Sequence, residues 1–224
     1  MLPNPGSTER TRGHRLSERS GSDREQMYAI LDSTVLCHIG YVEDGQPFVL
    51  PYGYTRDGDS ILIHGSTGAR FMRAMAAGAP VCVTVTKLDG MVLARSTFDS
   101  SMNYRSVVIL GVAKEVTGAE QAVALDTISN GFVPGRVSEV RPSTKKEWAA
   151  TMVLRLSLEE ASVKVRAHGA DTDTTGYAEG EGEQVWAGVI PLSTVAGEPQ
   201  PADEASARLP LPASVVNYLR HPKA

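Results

Sequence analysis

Aromatic residues make up only 6% of the 224 residues, cysteine occurs twice, and neither sign of charge dominates, the formal net charge being −4. Each shortage excludes something. With so few rings, strand packing has to rest on Val, Ile, Leu and Ala. A chain without a basic excess lacks the electrostatic footprint of a general nucleic-acid binder. No run approaches the roughly 20 apolar residues that span a bilayer, and the N-terminus carries arginines and prolines without an apolar signal core. The chain therefore reads as cytoplasmic, with neither a membrane nor nucleic acid as partner. Cys37 and Cys82 have no metal-ligand or CxxC spacing and lie in apolar strand-like runs, so two buried free thiols are expected. There is no G-x-S-x-G, H-E-x-x-H, G-x-x-x-x-G-K-[ST] or G-x-G-x-x-G after a strand, and no internal repeat. Nucleophilic hydrolysis, zinc chemistry, P-loop chemistry and a Rossmann site are all disfavoured.

What is present is ordinary globular material, 42% hydrophobic and 21% charged, enough for one domain with a substantial core. Residues 1–20 are rich in Pro, Gly, Ser, Thr and Arg and are expected to form a disordered or loosely attached tail. Ser22-Asp23-Arg24-Glu25 fits a capping box before a helix that ends near Asp32. Residues 34–42 then alternate, with Val35, Cys37, Ile39 and Tyr41 on one face and Leu36, His38 and Val42 on the other; His38 reads as a partly buried strand residue. Asp44-Gly45 and Asp57-Gly58 supply tight turns, so three antiparallel strands follow one another as a meander. A short helix over 68–77 stops at Gly78. Asp89-Gly90 predicts a further hairpin, and a long strand runs from Tyr104 to Val116. Thr117-Gly118-Ala119-Glu120 predicts a second capping box before a helix that ends near Asn130-Gly131.

A short helix around 145–149, strands at 152–156 and 161–166, an acidic Gly- and Thr-rich loop at 169–184 and a last apolar element at 185–192 complete the domain over 21–192. A proline-bearing extension over 193–224 holds a short amphipathic piece at 213–219. About eight strands joined mostly by tight turns, without βαβ alternation, favour a mainly β fold: a closed or nearly closed antiparallel barrel with peripheral short helices.

The chemistry-bearing stretch is His64-Gly65-Ser66-Thr67-Gly68-Ala69-Arg70. Glycines admit close approach of an anion, Ser66 and Thr67 offer hydroxyls, and a helix start presents free N–H groups. Arg70 in a first turn is disfavoured by the helix dipole unless something negative sits nearby, and a bound phosphate would supply it. A second polar segment, 96–106, is expected to face the first.

The segments VLPYGY at 49–54, ILIHGSTGAR at 61–70, LARSTFDSSMNYRSVVILG at 93–111 and WAGVIPL at 186–192 resemble, in order and spacing, the FMN-binding split-barrel proteins of the pyridoxamine 5′-phosphate oxidase-related class. Within that class the likeness is to the branch holding the nitroimidazole-resistance and flavin-nucleotide-binding proteins. The resemblance implies a Greek-key-like split barrel and a homodimer with FMN between subunits. It implies cofactor contacts from Tyr52, Gly53, His64, Gly65, Ser66, Thr67, Arg70, Asn103, Tyr104, Ser106 and Trp186, with Arg70 on the phosphate and His64 as the candidate catalytic residue. The chain departs from the oxidases at Pro47, Tyr52 and Phe71, where they carry basic residues, and lacks their arginine-histidine substrate motif after Trp186. Pyridoxamine-phosphate oxidation is therefore not the expected activity. The expected function is an FMN-dependent reductase of a small organic substrate. Two alternatives stay open: haem binding or degradation with His64 as axial ligand, and a flavin carrier without turnover.

Overall fold

The structure, a computed structural model, describes residues 2–13, 20–21 and 23–223. Its strands are β1 (Ser20–Gly21), β2 (Leu36–Glu43), β3 (Gln46–Asp57), β4 (Ser60–Ser66), β5 (Pro80–Leu93), β6 (Ser101–Val112), β7 (Lys114–Val116), β8 (Thr151–Ser157), β9 (Ala161–Arg166) and β10 (Gly188–Pro191). The helices are α1 (Arg24–Asp32), α2 (Arg70–Ala76), α3 (Ala119–Phe132), α4 (Lys145–Ala150), α5 (Glu204–Ala207) and α6 (Ala213–Arg220). The strands form one antiparallel ladder in the order β1-β9-β6-β5-β2-β3-β4-β8-β7, with β10 on β5. Asp44 and Gly45 turn β2 into β3 with φ of 51° and 77°, the two positive values a type I′ hairpin requires.

The ladder is open rather than closed, and two strands bend it. β3 pairs with β2 as far as Gly53 and changes to β4 from Tyr54 onward. The chain leaves β6 at buried Ala113 and continues as β7 against β8. The single strand expected over 104–116 is thus two strands, because its halves serve different neighbours.

No hairpin forms at Asp89-Gly90. β5 runs unbroken through both residues, and the ladder to β6 only slips by a bulge between Leu88 and Gly90. A Cβ on Gly90 would lie 2.8 Å from the Ile190 carbonyl oxygen, so this glycine serves the close approach of β10 rather than a turn. Asp89 is held by two bonds from Arg105 across the ladder, at 2.7 and 2.8 Å.

α1 is capped by Asp23, whose carboxylate accepts the Glu25 N–H; Ser22 of the expected box lies outside the described residues. Its Met27, Ile30 and Leu31 are buried in the barrel core, each worth roughly 1.5–3 kcal/mol. α3 starts at Gly118 with φ 67° and no side-chain cap, so its predicted box is absent. It is held instead by a second core in which Ala124 and Ile128 pack on Leu62, Val116 and Val153. A true capping box closes α4, between Thr144 and Glu147. Gly78 follows α2 with φ 96°, as a stop requires.

Part of the segment expected as a tail is seated on the barrel. The Gly6 N–H donates to Ala161 O at 2.7 Å, Thr11 is buried, and Arg10 pairs with Glu160. Residues 1 and 14–19 lie outside the described residues. The acidic loop is pinned by Arg95, which donates to Thr172 O and Val185 O and accepts from the Tyr177 hydroxyl at its carbonyl.

α3 covers the outer face of β4, β7 and β8, but among the described residues no helix covers the outer face of β2, β5 and the first half of β3. Leu36, His38, Val49, Pro51 and Cys82 are exposed there, Val49 by 65%. The register places Pro51 and Thr84 on either side of His38, and Val49 and Cys82 on either side of Gly40. Two expectations change with this. His38 is exposed rather than partly buried, and of the two thiols only Cys37 is buried.

Candidate functional site

Arg70 opens α2 with its side chain 63% exposed and paired to Glu43, Nε donating to Oε2 at 2.6 Å. Glu43 ends β2, immediately before the Asp44-Gly45 turn, and Arg70 holds its carboxyl below the usual range. The negative charge that a cation at this helix start calls for is therefore supplied by the chain itself. The other members of the expected phosphate cluster are engaged locally: Ser66 Oγ accepts the Gly68 N–H at 3.1 Å, and both the N–H and hydroxyl of Thr67 point to Ala150 O.

His64 lies six residues before Arg70, on β4. The paired residues Tyr54 and Ile63 point inward, so their neighbours Gly53 and His64 share the outer face. The His64 ring lies 6.0 Å from the ring of Phe132, the last residue of α3. Its Nδ1 is buried with no hydrogen-bond partner, and burial pulls its pKa below the ordinary 6.5, so the imidazole is neutral at pH 7. Gly53 exists as glycine for a visible reason. A Cβ there would lie 2.7 Å from Phe132 Cζ, because the tip of that ring fills the notch. Gly65 has the same role toward the interior, where a Cβ would meet Met72 and the Tyr52 hydroxyl at 2.9 Å. Tyr52 faces the core side, its ring 5.1 Å from Phe71, so it does not share the face of Gly53 and His64.

The second polar segment does not come to the first within one chain. Along the bent ladder β6 lies four strands from β4, and Asn103, Tyr104 and Ser106 pair with β5, β9 and the 166–168 segment rather than with 64–70. Asn103 is a strut there. Its Oδ1 accepts from Arg166 and the His168 N–H, and its Nδ2 donates to His168 O at 2.9 Å. Tyr104 stands in register between Leu88 and Arg166, and Ser106 between Thr86 and Lys164. Arg166 is buried, not part of a solvated strand face, whereas Lys164 is exposed. Trp186 is 63% exposed, with its indole folded back over Gly188. The site thus divides into an Arg70 corner, a His64 corner and a strand end at Asn103, Tyr104 and Ser106.

Glu43 and Phe132 escaped the sequence reading. Neither sits in a motif, and only the β2–β3 hairpin and the length of α3 bring them to Arg70 and His64.

A bent, open antiparallel ladder with helices on one half and a bare apolar face on the other defines a split-barrel protein. The family described as pyridoxamine 5′-phosphate oxidase matches residues 23–165, and the chain belongs to it. The FAD and haem binding protein from Mycobacterium smegmatis is 40% identical, over 89% of this chain and 96% of its own, with a TM-score of 0.83. The flavocytochrome Anf3 from Azotobacter vinelandii is 35% identical, over 96% of this chain and 98% of its own, also at 0.83. A protein assigned to 5-nitroimidazole antibiotic resistance in Bacteroides thetaiotaomicron shares the fold at 18% identity and a TM-score of 0.55, over 65% of this chain and 86% of its own. No curated protein sequence matches the chain.

Proposed function

We propose that this protein binds a flavin nucleotide and haem and carries electrons between them, as a homodimer whose subunits meet through the open face of β2, β3 and β5. The observation that carries this is similarity along nearly the whole chain to two proteins named for flavin together with haem or cytochrome. Local chemistry supports it. A haem iron takes a neutral imidazole, and His64 is neutral, its buried Nδ1 has no hydrogen-bond partner, and Phe132 stands beside it. Arg70, largely in solvent beside Glu43, fits the end of a phosphate or pyrophosphate, and a flavin dinucleotide fits the reading as well as FMN does. When bound, the flavin supplies hydride and single-electron chemistry and the haem single-electron chemistry. The residues of the chain bind and orient: His64 offers the nitrogen, Arg70 the charge, and the apolar strand face excludes water.

Reduction of a small organic substrate at the expense of a reduced nicotinamide is the enzymatic form of this reading, and a cytoplasmic setting suits it. Among the described residues no helix is long and apolar enough to cross a membrane. The absorption spectrum of the purified protein, followed by titration with FAD, FMN and haem, is the direct test. Saturable binding of a flavin and a Soret band displaced in His64→Ala are expected. A protein that binds neither flavin nor haem would sink the proposal, and flavin binding without haem would reduce it to the flavin-only alternative.

A further inference from the structure

Phe132 stands between His64 and the open face. On the outer side of the sheet Gly53 pairs with Leu36 of β2, and the Phe132 ring that fills the Gly53 notch lies 6.0 Å from the His64 ring of β4. Leu36 belongs to the bare face; His64 does not reach it. The Phe132 ring comes down from the end of α3 onto Gly53, which has no side chain to keep it away, and so stands between His64 and Leu36. We propose that Phe132 is a gate: seated on Gly53 it separates the His64 imidazole from a flat ligand on the open face, and lifted off it joins the two. The proposal rests on reading His64 as the cofactor-side imidazole.

The ties that hold the ring in place are visible as well. The last turn of α3 is tied to β3 through Thr55, whose hydroxyl donates to Ile128 O at 3.3 Å, and Gly131 lies so close to Thr55 that a Cβ there would be 2.1 Å from Oγ1. It is tied to the C-terminal extension through Lys223, whose Nζ donates to Gly131 O at 2.9 Å. Beyond the helix, Ser214 at the start of α6 is buried and bonds the Glu139 carboxylate with its N–H at 2.9 Å and its hydroxyl at 2.5 Å. The extension thus grips both sides of the segment that would have to move for Phe132 to leave its notch. A loosened extension would open the gate without touching the site.

Gating is read on the full-length, ligand-free protein as the rate at which diethyl pyrocarbonate modifies His64, followed by peptide mass spectrometry. Phe132→Ala removes the ring, and Gly53→Ala pushes it out of the notch while leaving it in the chain. Both should speed modification of His64 by about tenfold or more, and Lys223→Ala by a smaller factor, as expected for a locally opening element. His168, remote from α3, should keep its rate. Stopped-flow mixing with haem on the same proteins should show the same order. Equal His64 rates in the wild type, Phe132→Ala and Gly53→Ala overturn the gate. Faster modification in both variants without haem binding in any protein keeps the gate and rejects the haem reading.

Discussion

Arg70 and Glu43 hold each other across the gap between the start of α2 and the end of β2, so the cation best placed for a phosphate already has a carboxylate on it. The pair is exposed enough for exchange. If a flavin phosphate takes Arg70, it competes with Glu43. Glu43→Gln should therefore tighten flavin binding by roughly two- to fivefold, and Arg70→Ala should weaken it by about tenfold, both effects shrinking at high salt. Isothermal titration with FMN and FAD at two ionic strengths checks this; unchanged affinity in both variants would move the phosphate elsewhere.

The open face carries the prediction on assembly. Val49, 65% exposed in a single chain, lies beside Gly40 in the middle of that face. If two copies meet there, Val49→Arg places an unpaired cation in the interface at a cost of about 2–5 kcal/mol. Light scattering should find the wild type dimeric and the variant monomeric at micromolar concentration. A wild type that is monomeric at high concentration would reject the shared interface.

The cysteines report on the same face. Cys37 is buried with its Sγ–H directed to Tyr52 O, and burial pushes its thiol up to about 12, so it should resist alkylation until the protein unfolds. Cys82 is exposed on the same face, across Gly40 from Val49. In the Val49→Arg monomer iodoacetamide should label Cys82 alone, and in the dimer it should do so more slowly, as mass spectrometry of the two peptides would show.

Acid should destabilise the ligand-free protein through His64. Its folded pKa is lowered by burial below the ordinary 6.5, so the unfolded chain binds the proton first as pH falls. The stability this gives is whole above about pH 6.5 and is lost as the pH drops through the lowered folded value. Glu43, held below the ordinary carboxylate range by Arg70, leaves that window clear. Thermal melts between pH 7.5 and 5 should show a flatter decline in His64→Gln than in the wild type; parallel declines would mean that His64 does not carry the effect.

Local chemistry wrote the elements that local chemistry controls. The β2–β3 hairpin, the stop at Gly78 and the alternation that buries Cys37, Ile39 and Tyr41 follow from residues close together in sequence. Gly90 shows where such inference ends. An Asp-Gly pair is a turn when nothing else claims the backbone, but here β6 on one side and β10 on the other hold β5 straight, and the glycine makes room for a strand a hundred residues away.

The site divides in the same way. His64, the glycines around it and Arg70 were legible, because glycine, histidine and arginine at a strand-to-helix junction are chemically conspicuous. Glu43 and Phe132 were not, since a carboxylate before a hairpin and a phenylalanine at a helix end are unremarkable until register and helix docking bring them to Arg70 and His64. Composition and periodicity by themselves determined a mainly antiparallel β chain with short helices and a polar junction at 64–70. Tertiary structure decided which face stays bare, that Tyr52 turns inward while His64 turns outward, and that the strands carrying 64–66 and 101–106 stand four places apart in the ladder. These are outcomes of strand order and of where α3 lies. Both depend on contacts between residues distant in sequence, to which no local pattern is sensitive.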